Sequence, residues 1–213
     1  MSDRDLTAVV ARHGETAWNR DGRVQGWAAV GLTDRGRRQA RALGEHLASA
    51  YDFDAVVASD LCRTRETAVR LRDEGVGPAP TYSRRWRERD FGVYQGLGHE
   101  ALFDTHLEFS ADSGAMSVRA TPEDGESLLD LRERVLAGWE QLLKEAGASE
   151  TVLAVTHGGP IYALLGHLRG MDLPAAFREH DQDNCALTEI RVVAGGSGGA
   201  RIARENERAH LDP

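Results

Sequence analysis

The chain has 213 residues and a formal net charge of −8, with 41% hydrophobic and 28% charged residues. That length carries an α/β unit with a substantial core, and the acidic balance excludes nucleic acid as a partner, because phosphate backbones need a basic face. No apolar run approaches the roughly twenty residues of a membrane span, so no membrane partner is expected. The first residues, Met1-Ser2-Asp3-Arg4-Asp5, are charged and lack the apolar core of a secretory signal, which sets the expectation of a cytoplasmic protein. Cys62 and Cys185 lie in unrelated segments and fit neither a zinc ligand set nor a disulfide framework. Lys144 is the only lysine, so nearly all the cationic charge is arginine.

Taken in chain order, Leu6-Thr7-Ala8-Val9-Val10-Ala11 reads as a buried strand leading into Arg12-His13-Gly14-Glu15-Thr16. Thr33 is a good N-cap for a helix with Asp34 in its first turn, apolar positions Ala40, Leu43 and Leu47, and an end near Ala50. Asp54–Ala58 reads as a second strand. Ser59 and Asp60 are expected to cap the next helix, whose inner face is Leu61, Ala68 and Leu71 and which Gly75-Val76-Gly77-Pro78 ends. From His99 to Asp124 the pattern is poorest, and helical fragments forming a lid are expected there. After Ser127, the stripe Leu128, Leu131, Val135, Trp139 and Leu142 is a core helix face rather than a cofactor box. Thr151–Thr156 is another buried strand, leading into His157-Gly158-Gly159. Pro160 suits the first turn of a helix that runs to about Arg169. Leu187–Val193 reads as a strand, residues 195–199 as a glycine-rich hairpin turn, and Ala200–Arg204 as its partner.

His13 and His157 thus follow two apolar strands in the same manner. Ligands of open parallel sheets bind beyond the carboxyl ends of the strands, so both imidazoles are expected at one rim. Asn19 and Gln25-Gly26 trail the first motif with polar groups able to reach a phosphate. Further fragments appear in order: Gly31-Leu32-Thr33-Asp34-Arg35-Gly36 with Gln39-Ala40, the stretch from Ala58 through Arg63 to Ala68, Arg87-Glu88-Arg89-Asp90-Phe91-Gly92 with Gln95-Gly96, and Gly125-Glu126-Ser127. Together with the two histidine motifs, from about Ala8 to Thr188, they resemble the histidine phosphatase superfamily, the phosphoglycerate mutase-like group.

The resemblance implies an α/β fold with three α/β/α layers, a mostly parallel central sheet and a small helical or irregular lid. It further implies one domain over residues 1–213, with the lid inserted at about 99–126. It makes His13 the nucleophile. Neutral imidazole attacks phosphorus well and forms a labile phosphohistidine that water can cleave, and nearby arginines favour that neutral form. Arg12 and Arg63 would hold phosphoryl oxygens with planar forks. His157, with Gly158, would donate to an equatorial oxygen. Asn19, Gln25 and Gly26 complete the expected phosphate-binding set, and Glu88 is the expected acid, later the base toward water. Glu15 is read as shaping the motif. No metal and no cofactor is expected, since arginines can neutralise the charge.

Three functions compete. Mutases of this family carry a longer insertion and a basic pair for the phosphoglycerate carboxylate. Here Glu88 and His157 are 69 positions apart (157 minus 88), and Arg119 is the only arginine or lysine between Asp104 and Asp124. Such an acidic lid suits a monophosphate with a neutral body, and His157-Gly158-Gly159 looks like the phosphatase branch, where mutases typically carry Asn at the third place. A catalytically idle binding module would have lost His13, Glu88 or an arginine, and none is missing. The expectation is a metal-independent phosphomonoesterase of the phosphohistidine type, acting on a small phosphorylated metabolite, with a second copy of the chain as the one further partner considered.

Overall fold

Alternating side chains along two strands decide how the layers are arranged. The computed structural model describes residues 5–146, 150–193 and 199–211. In β1 (Asp5–Arg12), Ala8 and Val10 are buried on one face and Val9 and Ala11 on the other. In β4 (Thr151–Thr156), Val152 and Ala154 oppose Leu153 and Val155 in the same way. Successive side chains point to opposite faces of a strand, so a strand buried on both faces needs a helical layer on each. One layer is α2 (Asp34–Ala50) and α3 (Cys62–Asp73), which bring Leu43, Leu47 and Leu71 to the sheet. The other is α6 (Leu128–Glu145), α7 (Gly158–Leu168) and α8 (Leu173–Glu179), which bring Leu131, Val135, Leu164 and Leu173. With β2 (Ala55–Ser59), β3 (Thr81–Ser83), β5 (Leu187–Val193) and β6 (Ala200–Glu207), the sheet has the order β3-β2-β4-β1-β5-β6. The first four strands in that order are parallel, and β5 runs antiparallel to both its neighbours, β1 and β6. The three-layer, mostly parallel architecture expected from the sequence is the one found.

One helix start follows the expected chemistry: the Thr33 hydroxyl accepts from Gly36 N at 3.0 Å to cap α2. Ser127 and Asp130 form a reciprocal capping box on α6. The other expected cap is corrected. Leu61, not Ser59 or Asp60, is the N-cap of α3, with no side-chain cap bond. Ser59 Oγ faces His157 Nε2 at 2.9 Å instead, and Asp60 takes both arms of Arg87 at 2.6 and 2.7 Å. Stronger partners elsewhere in the fold outbid the local cap. α1 (Ala17–Arg20), β3 and α8 were not expected; each is too short to show a period. β6 extends to Glu207 rather than ending at Arg204. The charged residues 1–4 and the glycines of the expected hairpin at 195–198 lie outside the described residues.

Segment 99–126 contains α4 (His99–Thr105), two 3-10 turns (Leu107–Phe109 and Ala111–Ser113) and α5 (Ala115–Arg119). It has a small apolar cluster of its own, with Leu102 and Phe109 packed on Val24 and flanked by Phe91 and Phe103. Arg89 ties it to the acid-bearing loop. Its buried guanidinium donates to the carbonyls of Glu126 (3.0 Å), Ala120 (3.1 Å) and Phe109 (3.5 Å). Burial lowers the Arg89 pKa to about 10, so it stays charged at neutral pH.

The first turn of α2 presses directly on the loop after β1. A Cβ on Gly36 would lie 2.1 Å from the Glu15 carbonyl oxygen, and one on Gly14 would lie 2.5 Å from the Gly36 carbonyl oxygen. Backbone against backbone leaves nothing soft to yield. Gly36→Ala is therefore expected to destabilise the fold by about 1–3 kcal/mol, the usual size of an overpacking defect. A urea midpoint equal to that of the unsubstituted protein would contradict this close approach.

Candidate active site

Strand register brings the two histidines together. β1 and β4 pair in parallel with Arg12 opposite Thr156, and the next residue on each strand is histidine. His13 N donates to Thr156 O at 3.0 Å, which extends the ladder by one rung. The ring centroids are 5.1 Å apart, edge to face, close to the ~4.8 Å between neighbouring strands. Arg63, in the first turn of α3 after β2, reaches the same carboxyl-end rim.

The ring of His13 has a defined tautomer. Nδ1 lies 2.7 Å from Gly14 O, and a carbonyl can only accept, so Nδ1 bears the hydrogen and Nε2 carries the lone pair. Arg63 Nε donates to that Nε2 at 3.2 Å. The rest of the Arg63 guanidinium donates to Gly26 O (2.8 Å) and Ala28 O (3.4 Å). Arg63 is 1% exposed, and its described partners include no carboxylate within ion-pair distance. Burial lowers its pKa to about 10, which leaves it cationic at neutral pH. A buried charge met only by neutral acceptors is costly, and an anion offsets the cost.

Two buried nitrogens beside it are unsatisfied. Arg12 Nη1 donates to Gln182 O at 2.5 Å, while its Nε is buried with no partner among the described residues. His157 Nε2 meets Ser59 Oγ at 2.9 Å, while its Nδ1 is buried with no partner among the described residues. Buried polar groups are nearly always satisfied. Two unsatisfied groups beside a buried arginine are what an acceptor-rich ligand such as phosphate would complete. Burial, and after it Arg63, hold both His13 and His157 well below the usual imidazole pKa, so both rings are neutral at pH 7.

Glu88 stands across the cavity on the loop after β3. Its carboxylate accepts from Arg89 N at 2.8 Å and from Gly159 N, in the first turn of α7, at 3.3 Å. A Cβ at position 159 would lie 2.2 Å from Glu88 Oε1, so only glycine permits this approach. Trp27 Nε1 (2.7 Å) and Arg134 Nη2 (3.2 Å) both donate to the Glu88 carbonyl, and Arg134 Nη1 also donates to the carbonyls of Arg84, Arg85 and Arg87.

The remaining expected residues surround the same cavity of about 840 Å³: Asn19, Gln25, Gly26 and Gly158 line it with Arg12, His13, Arg63 and Glu88, and His157 is buried behind His13. Asn19 Oδ1 caps α1 by accepting from Thr16, while Gln25 Oε1 accepts from the Thr16 hydroxyl at 2.8 Å. Gly26 supplies the carbonyl that holds Arg63. Glu15 is tied to the Thr33 hydroxyl at 2.8 Å and to Arg35 at 3.2 Å, as a residue that shapes the loop. Sequence reading missed Ser59, Trp27 and Arg134 as parts of this site. Ser59 was visible only as a cap candidate, and nothing local marks an α6 arginine as the anchor of a loop some fifty residues earlier.

Comparison with known proteins gives the family. The model of the histidine phosphatase superfamily (branch 1) matches residues 8–206. A glucosyl-3-phosphoglycerate phosphatase of Mycolicibacterium vanbaalenii is 37% identical over 175 residues, covering 76% of this chain and 74% of that one. A probable phosphoglycerate mutase of Citrobacter koseri is 33% identical over 186 residues, covering 87% and 84%. Among solved structures, the Bacillus stearothermophilus protein YhfR superposes with a TM-score of 0.82 at 28% identity, covering 97% of this chain and all of that one.

Two imidazoles kept neutral by burial have a consequence for stability. The unfolded chain takes up protons on them below about pH 6.5, while the folded protein resists this, so stability falls as pH drops through that value. Urea midpoints measured from pH 7.5 down to 5.0 should therefore decline, and His157→Gln should remove part of the slope. A slope unchanged in that variant would contradict the neutral assignment.

Proposed function

The chain belongs to the histidine phosphatase superfamily, and from that premise we propose that it hydrolyses small phosphomonoesters through a phosphohistidine formed on His13. One observation carries the reading: His13, which lines the cavity, has its lone pair on Nε2, fixed there by the Nδ1 bond to Gly14 O, and that nitrogen is met by a buried arginine with no carboxylate partner among the described residues. In the first step Nε2 attacks phosphorus, the P–O bond to the alcohol breaks, and Glu88 delivers a proton to the departing oxygen. Arg63 exchanges its bond to Nε2 for phosphoryl oxygens, Arg12 Nε and His157 Nδ1 fill their open valences on the same oxygens, and charge is stabilised as it develops. Asn19, Gln25, Gly26 and Gly158 complete the cradle. In the second step Glu88 takes a proton from water, the P–N bond breaks, and phosphate leaves. Every charge in this cycle is neutralised by protein cations, so no metal takes part.

Hydrolysis is favoured over transfer to a second hydroxyl by Gly159. The asparagine typical of mutases at this place would push Glu88 from its two backbone donors. Residues 99–126 act as the lid over the cavity within one domain. Both cysteines are free thiols, which suits the reducing cytoplasm.

With chelator present, purified protein is expected to release phosphate from p-nitrophenyl phosphate, with no comparable mutase turnover. Glu88→Gln and Gly159→Ala should both slow alkyl esters at least about tenfold more than the aryl ester, whose leaving group hardly needs the proton. Activity that vanishes with chelator and returns with a divalent cation would overturn the reading, as would equal losses for both leaving groups.

A further inference from the structure

The cavity extends well beyond the phosphate end, and its outer walls differ in kind from its floor. Two aromatic walls face it. One is Phe91 and Phe103, 6.2 Å apart and edge to face, with Phe109 beside them; the other is Tyr162 on α7 and Phe177 on α8, 5.7 Å apart. The mouth carries Glu100 and Asp104, one turn apart on α4, and Asp112 in the 3-10 turn Ala111–Ser113, none of them in an ion pair among the described residues. The arginines at this level bond backbone carbonyls and form no ion pair among the described residues: Arg89 donates to three of them, Arg23 donates to Gly96 O at 3.1 Å, and Arg178 donates to Ala111 O at 2.7 Å.

We propose that the substrate, under the phosphatase reading on which this rests, is the phosphate monoester of an uncharged, ring-bearing alcohol with hydroxyl or amino donors. The phosphate lies at Arg12, Arg63 and His13. The ring lies between the lid wall and the Tyr162–Phe177 wall, where flat faces stack favourably. The donors meet the carboxylates at the mouth, which can only accept. A carboxylate on the substrate body placed among Glu100, Asp104 and Asp112 would meet like charge, a mismatch that costs affinity and slows encounter. A volume of about 840 Å³ holds a ring and its substituents as well as the phosphate.

The test compares kcat/KM for uridine 5′-monophosphate, phosphoserine and 3-phosphoglycerate. All three are alkyl esters, so differences report on the body rather than the leaving group, and p-nitrophenyl phosphate serves as the activity reference. The nucleotide is expected to exceed both carboxylated esters by about tenfold or more. Phe103→Ala should cost the nucleotide about tenfold more than it costs phosphoserine, the scale of one lost stacking partner. The double variant Glu100→Gln, Asp104→Asn should narrow the gap between the nucleotide and 3-phosphoglycerate several-fold. Phosphoserine or 3-phosphoglycerate turned over as well as the nucleotide would overturn the proposal, and so would a gap unmoved by both variants. No release from any of the four esters would overturn the phosphatase reading itself, and the substrate assignment with it.

Discussion

One rung of parallel pairing, Arg12 against Thr156, sets the geometry on which the site depends. It puts His13 and His157 at equivalent positions on neighbouring strands, and the distance between their rings is nearly the distance between the strands. A slip of one residue would turn one histidine into a helical layer and bring a threonine or glycine to the rim. The register is held by burial on both faces, because Val9 and Ala11 belong to one core and Ala8 and Val10 to the other. The packing of the sheet and the placement of the candidate nucleophile are therefore the same fact.

The second constraint is electrostatic. A chain of net charge −8 offers an anion site only if cations are concentrated and shielded from the protein's own carboxylates. Arg63 meets this by burial among carbonyls of the 26–28 turn, and Arg12 by a bond to the Gln182 carbonyl. Neither gives up its charge to an acid. Asp60 is held by Arg87, Glu126 by Arg134, and Glu15 by Thr33 and Arg35, which leaves Glu88 as the carboxylate that faces Arg63 across the cavity. Burial, and after it the same arginines, keep both imidazoles neutral, so the groups expected to bind phosphate also help prepare the base that would attack it.

Much of this was legible in the sequence, and the reasons differ by element. The buried strands and the α2 and α6 stripes announce themselves because burial imposes a period. His13, Arg63, Glu88 and His157 stand out because each lies in a motif fragment beside a strand end or helix start. Ser59 was misread as a cap, since its real partner is 98 positions away and no local pattern shows it. Arg134 was invisible for the same reason: it looks like one more exposed charge on a helix, yet it holds four carbonyls of the Glu88 loop. Short elements such as β3 and α8 were missed because three and seven residues are too few to display a period.

The tautomer of His13 is the most exposed point of the reading, since the hydrogen on Nδ1 leaves a single nitrogen able to attack. Protein labelled with ¹⁵N in its histidines can be trapped as the phosphoenzyme by rapid acid-free quench, and the phosphorus-bearing nitrogen identified by ³¹P–¹⁵N coupling. Phosphorus is expected on Nε2 of His13, and the signal should be absent in His13→Ala. Phosphorus on Nδ1, on His157, or on any residue of the His13→Ala protein would contradict the assignment.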